Sequence, residues 1–339
     1  MNKNGISIII PVYNAEKYLR RCLNSLSEKS TADEIILIND GSIDNSRIIC
    51  EQFQGKVGNV KLINQQNAGV SAARNRGIDI ATQNWIMFVD ADDYLISGWR
   101  MIVQNALEKS DGINVIVFEK DIKNGLIEMQ EGVSAALGYN QKLGSSLGFP
   151  FSKLFRTEML LYSNIRFSTE LINGEDMIFN AKVFATCGKG LAVPYSIYAY
   201  YKNMSSATNR FDPKIIETEH VFHHEVRELF CQNKLKDEEW KDIEILSLLH
   251  GIYAVAYRIA LSMDEANFKL LEDLIHEKEY NNALQNLSYY KKRISRKKYP
   301  ALALLAHKNI HMAIKYIQMI YSLKKVYYKK KKYGVVSII

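Results

Sequence analysis

Trp85-Ile-Met-Phe-Val-Asp-Ala-Asp-Asp-Tyr94 is the stretch that decides how this chain folds. Ile86 to Val89 is a short apolar run with β-branched and aromatic members, too short for a helix and suited to a strand covered on both faces. It stops abruptly in Asp90, Asp92 and Asp93. Three carboxylates crowded at the end of a buried strand repel one another and lose hydration, so a cation is expected among them. In open α/β sheets the ligand crevice lies at the carboxyl ends of the strands, where these groups would project. Asp also favours turns for backbone reasons, so a solvated acidic turn is the plain alternative.

Toward the N-terminus the same strand-then-turn arrangement recurs. Ile6 to Ile10 is a β-branched run closed by Pro11, and Glu16 to Leu26 follows with helical spacing. Glu34 to Ile38 reads as a strand, Asn39-Asp40-Gly41-Ser42 as a turn, and Asp44 as the cap of a helix reaching Phe53. Val60 to Ile63 is a third strand, and Asn67-Ala-Gly opens a helix to about Ala81. Strands alternating with helices predict an α/β fold with a mostly parallel, doubly wound, Rossmann-like sheet. The turns at 11–14, 39–42, 67–69 and 90–93 then share one crevice. Tyr13 offers a flat ring for a base, Asp40 an acceptor for base or ribose, and Arg74 a guanidinium that could reach a phosphate. Each has an ordinary alternative: core, turn and solvated helix position.

Composition narrows the classes. Among 339 residues the apolar and charged fractions, 47% and 24%, are those of a globular protein and exclude disordered or collagen-like chains. The net charge of +7 is unevenly spread: 14 of the 44 Lys and Arg lie beyond Tyr280, where there is no Asp or Glu. An acidic body with a basic tail predicts attraction to a polyanionic surface. Cys22, Cys50, Cys187 and Cys231 show no C-x-x-C spacing and read as free thiols in a reducing compartment. The N-terminus runs directly into a strand without a signal-like segment, and no stretch reads as a membrane span.

Beyond Tyr94 the pattern gives a helix from Trp99 to Lys109, a strand from Asn114 to Phe118, and a hairpin around Asn124-Gly125. Glu175 and Asp176 precede an amphipathic helix, so the pair sits at a helix N-terminus, where the backbone dipole favours the ionised form. Gly190 to Lys202 is β-like, and its Tyr195, Tyr198, Tyr200 and Tyr201 suit either packing or sugar faces. Lys202 to Arg210 reads as a loop able to fold over a diphosphate. His220, His223 and His224 have metal-compatible spacing but no complementary ligands, which favours a satisfied or solvated cluster.

Ser7 to Asn14 (Ser-Ile-Ile-Ile-Pro-Val-Tyr-Asn), Asn39 to Ser42, Asn67 to Asn75 (Asn-Ala-Gly-Val-Ser-Ala-Ala-Arg-Asn) and Val89 to Asp93 resemble, in order and spacing, the motifs of the family 2 glycosyltransferases of GT-A fold. The resemblance implies an inverting transferase using a nucleotide-sugar, usually a UDP-sugar, with Mn²⁺ or Mg²⁺ bridging diphosphate and Asp-x-Asp motif. It places Pro11, Val12 and Tyr13 at the uracil and Asp40 on the base. Asn67, Gly69, Arg74 and Ala91 fall on the donor side, Asp90 faces ribose or sugar, and Asp92 contacts the metal. Asp176 corresponds to the catalytic base, with Glu175 orienting acceptor or loop. The family commonly has Asp where this chain has Asn39, a departure that bears on base preference.

The chain is thus expected to comprise a transferase domain at 1–210, a helical appendage at 211–288 and a basic amphipathic tail at 289–339. In the tail, Ile310, Ile314, Ile317 and Tyr321 mark one apolar helix face followed by Lys runs to Lys332, the pattern of an interfacial anchor on anionic lipid; a solvated basic helix or a core helix of the second domain is the plain alternative. The expected partners are a glycan or lipid-linked oligosaccharide acceptor and the cytoplasmic face of a membrane, without nucleic acid. The competing reading is a non-catalytic nucleotide-sugar-binding module whose tail holds nucleic acid. Hydrolysis fits poorly, since it needs neither Asp-x-Asp nor a base-stacking loop, and a nucleotidyltransferase would want a Gly-rich triphosphate loop after the first strand.

Overall fold

The first strand has neighbours on both edges and cover on both faces, which is why Ile6 to Val12 is apolar without alternation apart from Ser7. The computed structural model describes residues 4–138, 146–201, 211–233, 237–330 and 336–338. The elements run β1 (Ile6–Val12), α1 (Glu16–Asn24), β2 (Glu34–Asp40), α2 (Ser46–Gln54), β3 (Val60–Gln65), α3 (Val70–Ile80) and β4 (Trp85–Phe88). They continue with β5 (Tyr94–Leu95), α4 (Trp99–Leu107), β6 (Val115–Phe118), β7 (Gly125–Glu128), α5 (Met129–Ala136), β8 (Lys153–Arg156), α6 (Thr157–Tyr162), α7 (Glu175–Cys187), β9 (Lys189–Val193) and β10 (Tyr198–Tyr201). Eight strands form one sheet in the order β3-β2-β1-β4-β8-β6-β9-β7. The doubly wound, mostly parallel sheet is present. Its β3-β2-β1-β4 half is wholly parallel, while β8 runs antiparallel between β4 and β6.

One local expectation fails and one strand is unheralded. Asn124-Gly125 does not turn a hairpin, because β9 lies between β6 and β7, pairing parallel with the first and antiparallel with the second. Burial of β9 between two strands outweighs the local turn signal. β8 carries no strand signal of its own in the sequence, where Ser152 and Lys153 break the apolar pattern.

The helices that carry the site are seated by close packing. A Cβ on Gly77 would lie 2.4 Å from Ile9 Cγ2, so only glycine lets α3 approach β1 this closely. Behind the sheet end, Phe88, Phe155, Phe167 and Phe179 form an aromatic core in which Phe167 and Phe179 stack with centroids 3.8 Å apart.

The chain divides into two units: Met1–Thr169 with Gly174–Tyr201 and Val336–Ile339, and Glu170–Asn173 with Lys202–Val335. In the first, a short strand β11 (Val336–Ile338) pairs antiparallel with β10, which also pairs with β5. The second contains α8 (Ile215–Asn233), α9 (Asp237–Ser262), α10 (Phe268–His276), α11 (Lys278–Gln285), α12 (Tyr299–Ala306) and α13 (Ile310–Lys330). The boundary expected at 288/289 has no counterpart in this division. Ile314 and Ile317 are buried, Gln318 donates to the Ala260 carbonyl at 3.1 Å, and Tyr321 meets Tyr257 edge-on. The apolar face read as a membrane anchor is therefore spent on α9. By length and composition Lys241–Ser262 could cross a membrane, contrary to the reading that nothing qualifies; more than half of it is buried in the protein. The loop at 202–210 and Lys331 and Lys332 lie outside the described residues.

Candidate active site

The turns after β1, β2 and β3 are tied together by backbone donors meeting side-chain acceptors. Asn14 N–H donates to Ser42 Oγ at 3.1 Å, Ala15 N–H to Ser46 Oγ at 2.8 Å and Glu16 N–H to Asp44 Oδ2 at 3.1 Å. Asp40 is 3% exposed; its carboxylate accepts from Gln65 Nε2 at 2.8 Å and from the Ala68 and Gly69 amides, each at 2.9 Å. Asn67 Nδ2 adds a bond to the Asp40 carbonyl at 3.1 Å. A carboxylate has about four acceptor directions, so roughly one is left for a ligand, and the group's main visible task is to shape the 67–69 loop. Asn39 donates to Asn64 Oδ1 at 2.8 Å and accepts from the Ser42 amide at 3.3 Å; an Asp could not make the first bond.

Tyr13, 53% exposed, presents its ring outward. Pro11 and Val12 do not: both lie inside β1, and Val12, like Ala91, belongs to the core. Strand alternation and sheet cover thus leave their backbone, and not their side chains, to border the crevice.

The carboxylate cluster is organised by an internal cation. Arg74, on the buried side of α3, donates through Nη2 to Asp90 Oδ1 at 2.9 Å and through Nη1 to Asp176 Oδ1 at 2.6 Å, with Glu175 Oε1 at 4.0 Å. Its guanidinium lies over the Phe167 ring, 5.1 Å from the centroid. Burial alone would lower the Arg74 pKa, but Asp176 and Asp90 outweigh it and hold the group charged. Arg74 thus faces two carboxylates, where a phosphate was expected.

Asp93 also finds a partner within the fold. Its carboxylate accepts from the Tyr198 hydroxyl and from the Tyr201 amide, both at 2.7 Å, and the same hydroxyl accepts from Asp90 N–H at 3.1 Å. The expectation that all three Asp share a cation is corrected: Arg74 compensates Asp90, and Tyr198 turns Asp93 inward. Asp92 remains. Among the described residues its carboxylate receives a hydrogen bond only from its own backbone, and burial followed by the Asp90 charge pushes its pKa up to about 6. Arg21, flanked by the Tyr94 and Tyr201 rings at 4.7 and 4.5 Å, donates to the Asp92 carbonyl at 2.6 Å and fixes the turn.

Gly174, with φ of 87°, caps α7 and aims Glu175 and Asp176 at Arg74. Burial and then Asp176 push Glu175 up to about 7; burial raises Asp176 too, although Arg74 opposes it. Desolvation overrides the helix dipole expected to keep the pair at ordinary acidity, which makes Asp176 a stronger base. Sequence reasoning missed Lys153, buried within reach of the Asp176 charge and lowered to about 7 by burial, and gave no role to Arg21. The one hint at Lys153 was a lone charge in an apolar run.

Among the described residues no group of three His, Cys, Asp or Glu is disposed to hold a metal by itself. His220 pairs with Glu277 at 3.0 Å, while His223 lies 3.2 Å from Glu219. Asp92, half-buried beside Asp90 and without a side-chain donor among the described residues, is the carboxylate of this cluster that would suit a divalent cation.

Residues 7–161 match the family model for glycosyl transferase family 2. This segment is a family 2 glycosyltransferase domain. This glycosyltransferase is 28% identical over 264 residues to the putative glycosyltransferase EpsH of Bacillus subtilis, covering 74% of this chain and 76% of the relative. It is 32% identical over 212 residues to the poly(ribitol-phosphate) beta-glucosyltransferase of Bacillus spizizenii, 58% of this chain but only 32% of that protein. Its fold is similar to that of S. aureus TarS 1-349 in complex with UDP, with a TM-score of 0.64 and 19% identity over 94% of this chain and 92% of that one. The glycosyltransferase therefore has the GT-A fold, with C-terminal helices beyond it.

Proposed function

We propose that this glycosyltransferase moves a sugar, with inversion at C1, from a UDP-sugar to a hydroxyl of a glycan or lipid-linked oligosaccharide in cell-surface polysaccharide synthesis. The observation that carries the proposal is the Arg74 bridge, 2.9 Å to Asp90 and 2.6 Å to Asp176, which joins the strand-end motif to a carboxylate 86 positions later in the chain. The UDP bound by TarS and the glucosyl transfer in the name of the Bacillus spizizenii relative support the donor class.

In this reading Tyr13 stacks on the base, and Asp40 holds the loop beneath it while lending its remaining acceptor direction. Asp90, held in place by the Arg74 guanidinium, faces the ribose or sugar. Asp176 accepts the proton of the attacking hydroxyl; its raised pKa improves it as a base, and its fixed position removes most of the entropic barrier. Glu175 orients the acceptor or supports the loop. Asp92 would hold Mn²⁺ or Mg²⁺ together with the diphosphate, and that ion, when bound, offsets the charge gathering on the leaving group. Attack from the face opposite the diphosphate needs no covalent intermediate.

The test is UDP release from a panel of UDP-sugars with Mn²⁺, Mg²⁺ or EDTA. Asp92→Ala is expected to lose metal-dependent donor binding, whereas Asp176→Asn keeps donor binding and loses transfer by at least ~100-fold. Transfer by Asp176→Asn at the wild-type rate would remove Asp176 from the role of base.

The work site we propose is the cytoplasmic face of a membrane. With the Ile314 face packed, the surface left for lipid on α13 is the opposite one, where Met312, Met319 and Leu323 are 54%, 51% and 61% exposed beside Lys315. Apolar side chains flanked by Lys suit the boundary between head groups and acyl chains of anionic lipid.

A further inference from the structure

Phe149, in the corner leading into β8, is 44% exposed, yet it is held from two sides. Its ring lies flat on Phe151, with centroids 5.0 Å apart and planes at 8°, and Phe151 lies flat on Tyr198 at 4.6 Å and 7°. Tyr198 is the residue whose hydroxyl joins the Asp90 amide to Asp93. The ladder of rings therefore starts at the strand-end carboxylates and ends at the partly exposed Phe149, which among the described residues stacks on Phe151 alone.

The backbone of the same corner is fastened to the other half of the site. The Phe149 carbonyl accepts from Lys153 Nζ at 2.6 Å, and the Gly148 carbonyl accepts from Asn180 Nδ2 at 3.3 Å. The same Asn180 amide donates to the Asp176 carbonyl at 2.8 Å, one helical turn back. A Cβ at Gly148 would come within 2.9 Å of the Ala136 carbonyl oxygen, so the corner is packed tightly against its surroundings. A large aromatic side chain left 44% exposed at the end of a stack forgoes part of the burial it could gain in a core.

We propose that Phe149 is a specificity-determining platform on which a ring of the acceptor stacks, and that the acceptor is accordingly a cyclic sugar and not an open-chain polyol phosphate. The proposal rests on Asp176 being the base and adds the class of acceptor delivered to it. A pyranose has an apolar C–H face that an aromatic ring can cover, and a platform with no freedom of its own orders the sugar at small entropic cost. Because the corner is fastened to Asp176 through Asn180, a stacked ring is also oriented relative to the base.

The experiment measures binding by saturation-transfer NMR to the full chain, so that turnover is not needed. The probes are methyl β-glucoside, methyl β-galactoside and methyl N-acetyl-β-glucosaminide, against ribitol phosphate. Phe149→Ala and Phe149→Leu are expected to weaken binding of at least one glycoside by about tenfold, and Phe149→Trp to restore it. In transfer assays the same variants raise the acceptor KM more than they lower kcat. The proposal is overturned if Leu binds as well as Phe, if Trp fails to rescue, or if ribitol phosphate binds while no glycoside does. Ring-dependent glycoside binding by a wild-type chain that releases no UDP from any UDP-sugar would keep the platform and sink the transferase donor reading instead.

Discussion

Arg74 shows how one buried residue can set the chemistry of several others. A lone guanidinium with 4% of its side chain exposed would be costly, as would Asp90 and Asp176 packed together without it. The three are mutually required, and the planar fork of Arg, unlike an ammonium, reaches both carboxylates in one plane. Lys153 is the contrasting case. Burial outweighs the attraction of Glu119 and Asp176 and brings its pKa down to about 7. Between that value and the ordinary 10.5 the unfolded chain holds a proton that the folded chain has released, so folding stability gains with rising pH across this window. Urea unfolding midpoints near neutrality and near the top of the window are expected to differ in the wild type, by up to about 1.4 kcal/mol per pH unit. In Lys153→Met that rise should vanish; its persistence would mean the ammonium stays charged in the folded protein.

The elements of the site are turns, and their backbone conformations are specific. Gly41 has φ of +72°, and a Cβ there would approach the Asn67 amide nitrogen to 2.8 Å. Gly112 has a similar φ of +67° but open space around it. Substituting Ala at Gly112 should therefore cost only the left-handed penalty of about 1–2 kcal/mol. Gly41→Ala should cost more and, by displacing the 67–69 loop from Asp40, raise the donor KM by roughly tenfold. Equal effects of the two substitutions on melting and on donor KM would show that the Asp40 loop does not shape the donor site. The same logic explains Asn39: its side chain spans β3 and the Gly41 turn, a task for an amide rather than a carboxylate.

At the scale of the whole molecule, α13 carries two apolar faces with different fates. Ile314 and Ile317 are consumed by helix packing, whereas Met312, Met319 and Leu323 stay at the surface. Replacing these three by Ser should lower partition onto anionic vesicles by at least ~100-fold, given about 1.5 kcal/mol for each large apolar side chain buried. Partition should also weaken with added salt and on neutral lipid. Unchanged sedimentation with vesicles would exclude this face, and salt-sensitive sedimentation with RNA alone would favour the nucleic-acid reading of the basic tail.

The order of strands and turns in the first hundred residues was legible because β-branched runs, Gly turns and Asp clusters act locally, each carrying its own backbone preference. The parallel half of the sheet and the family motifs followed from that order, whereas Asp176, far beyond it, was reached only through the resemblance. The sequence could not say which carboxylate meets which cation, that Tyr198 turns Asp93 inward, that β9 separates β6 from β7, or which face of α13 is covered. Those outcomes depend on contacts between residues tens of positions apart. Burial, which sets both pKa and packing, is a property of the assembled chain and is not carried by any segment alone.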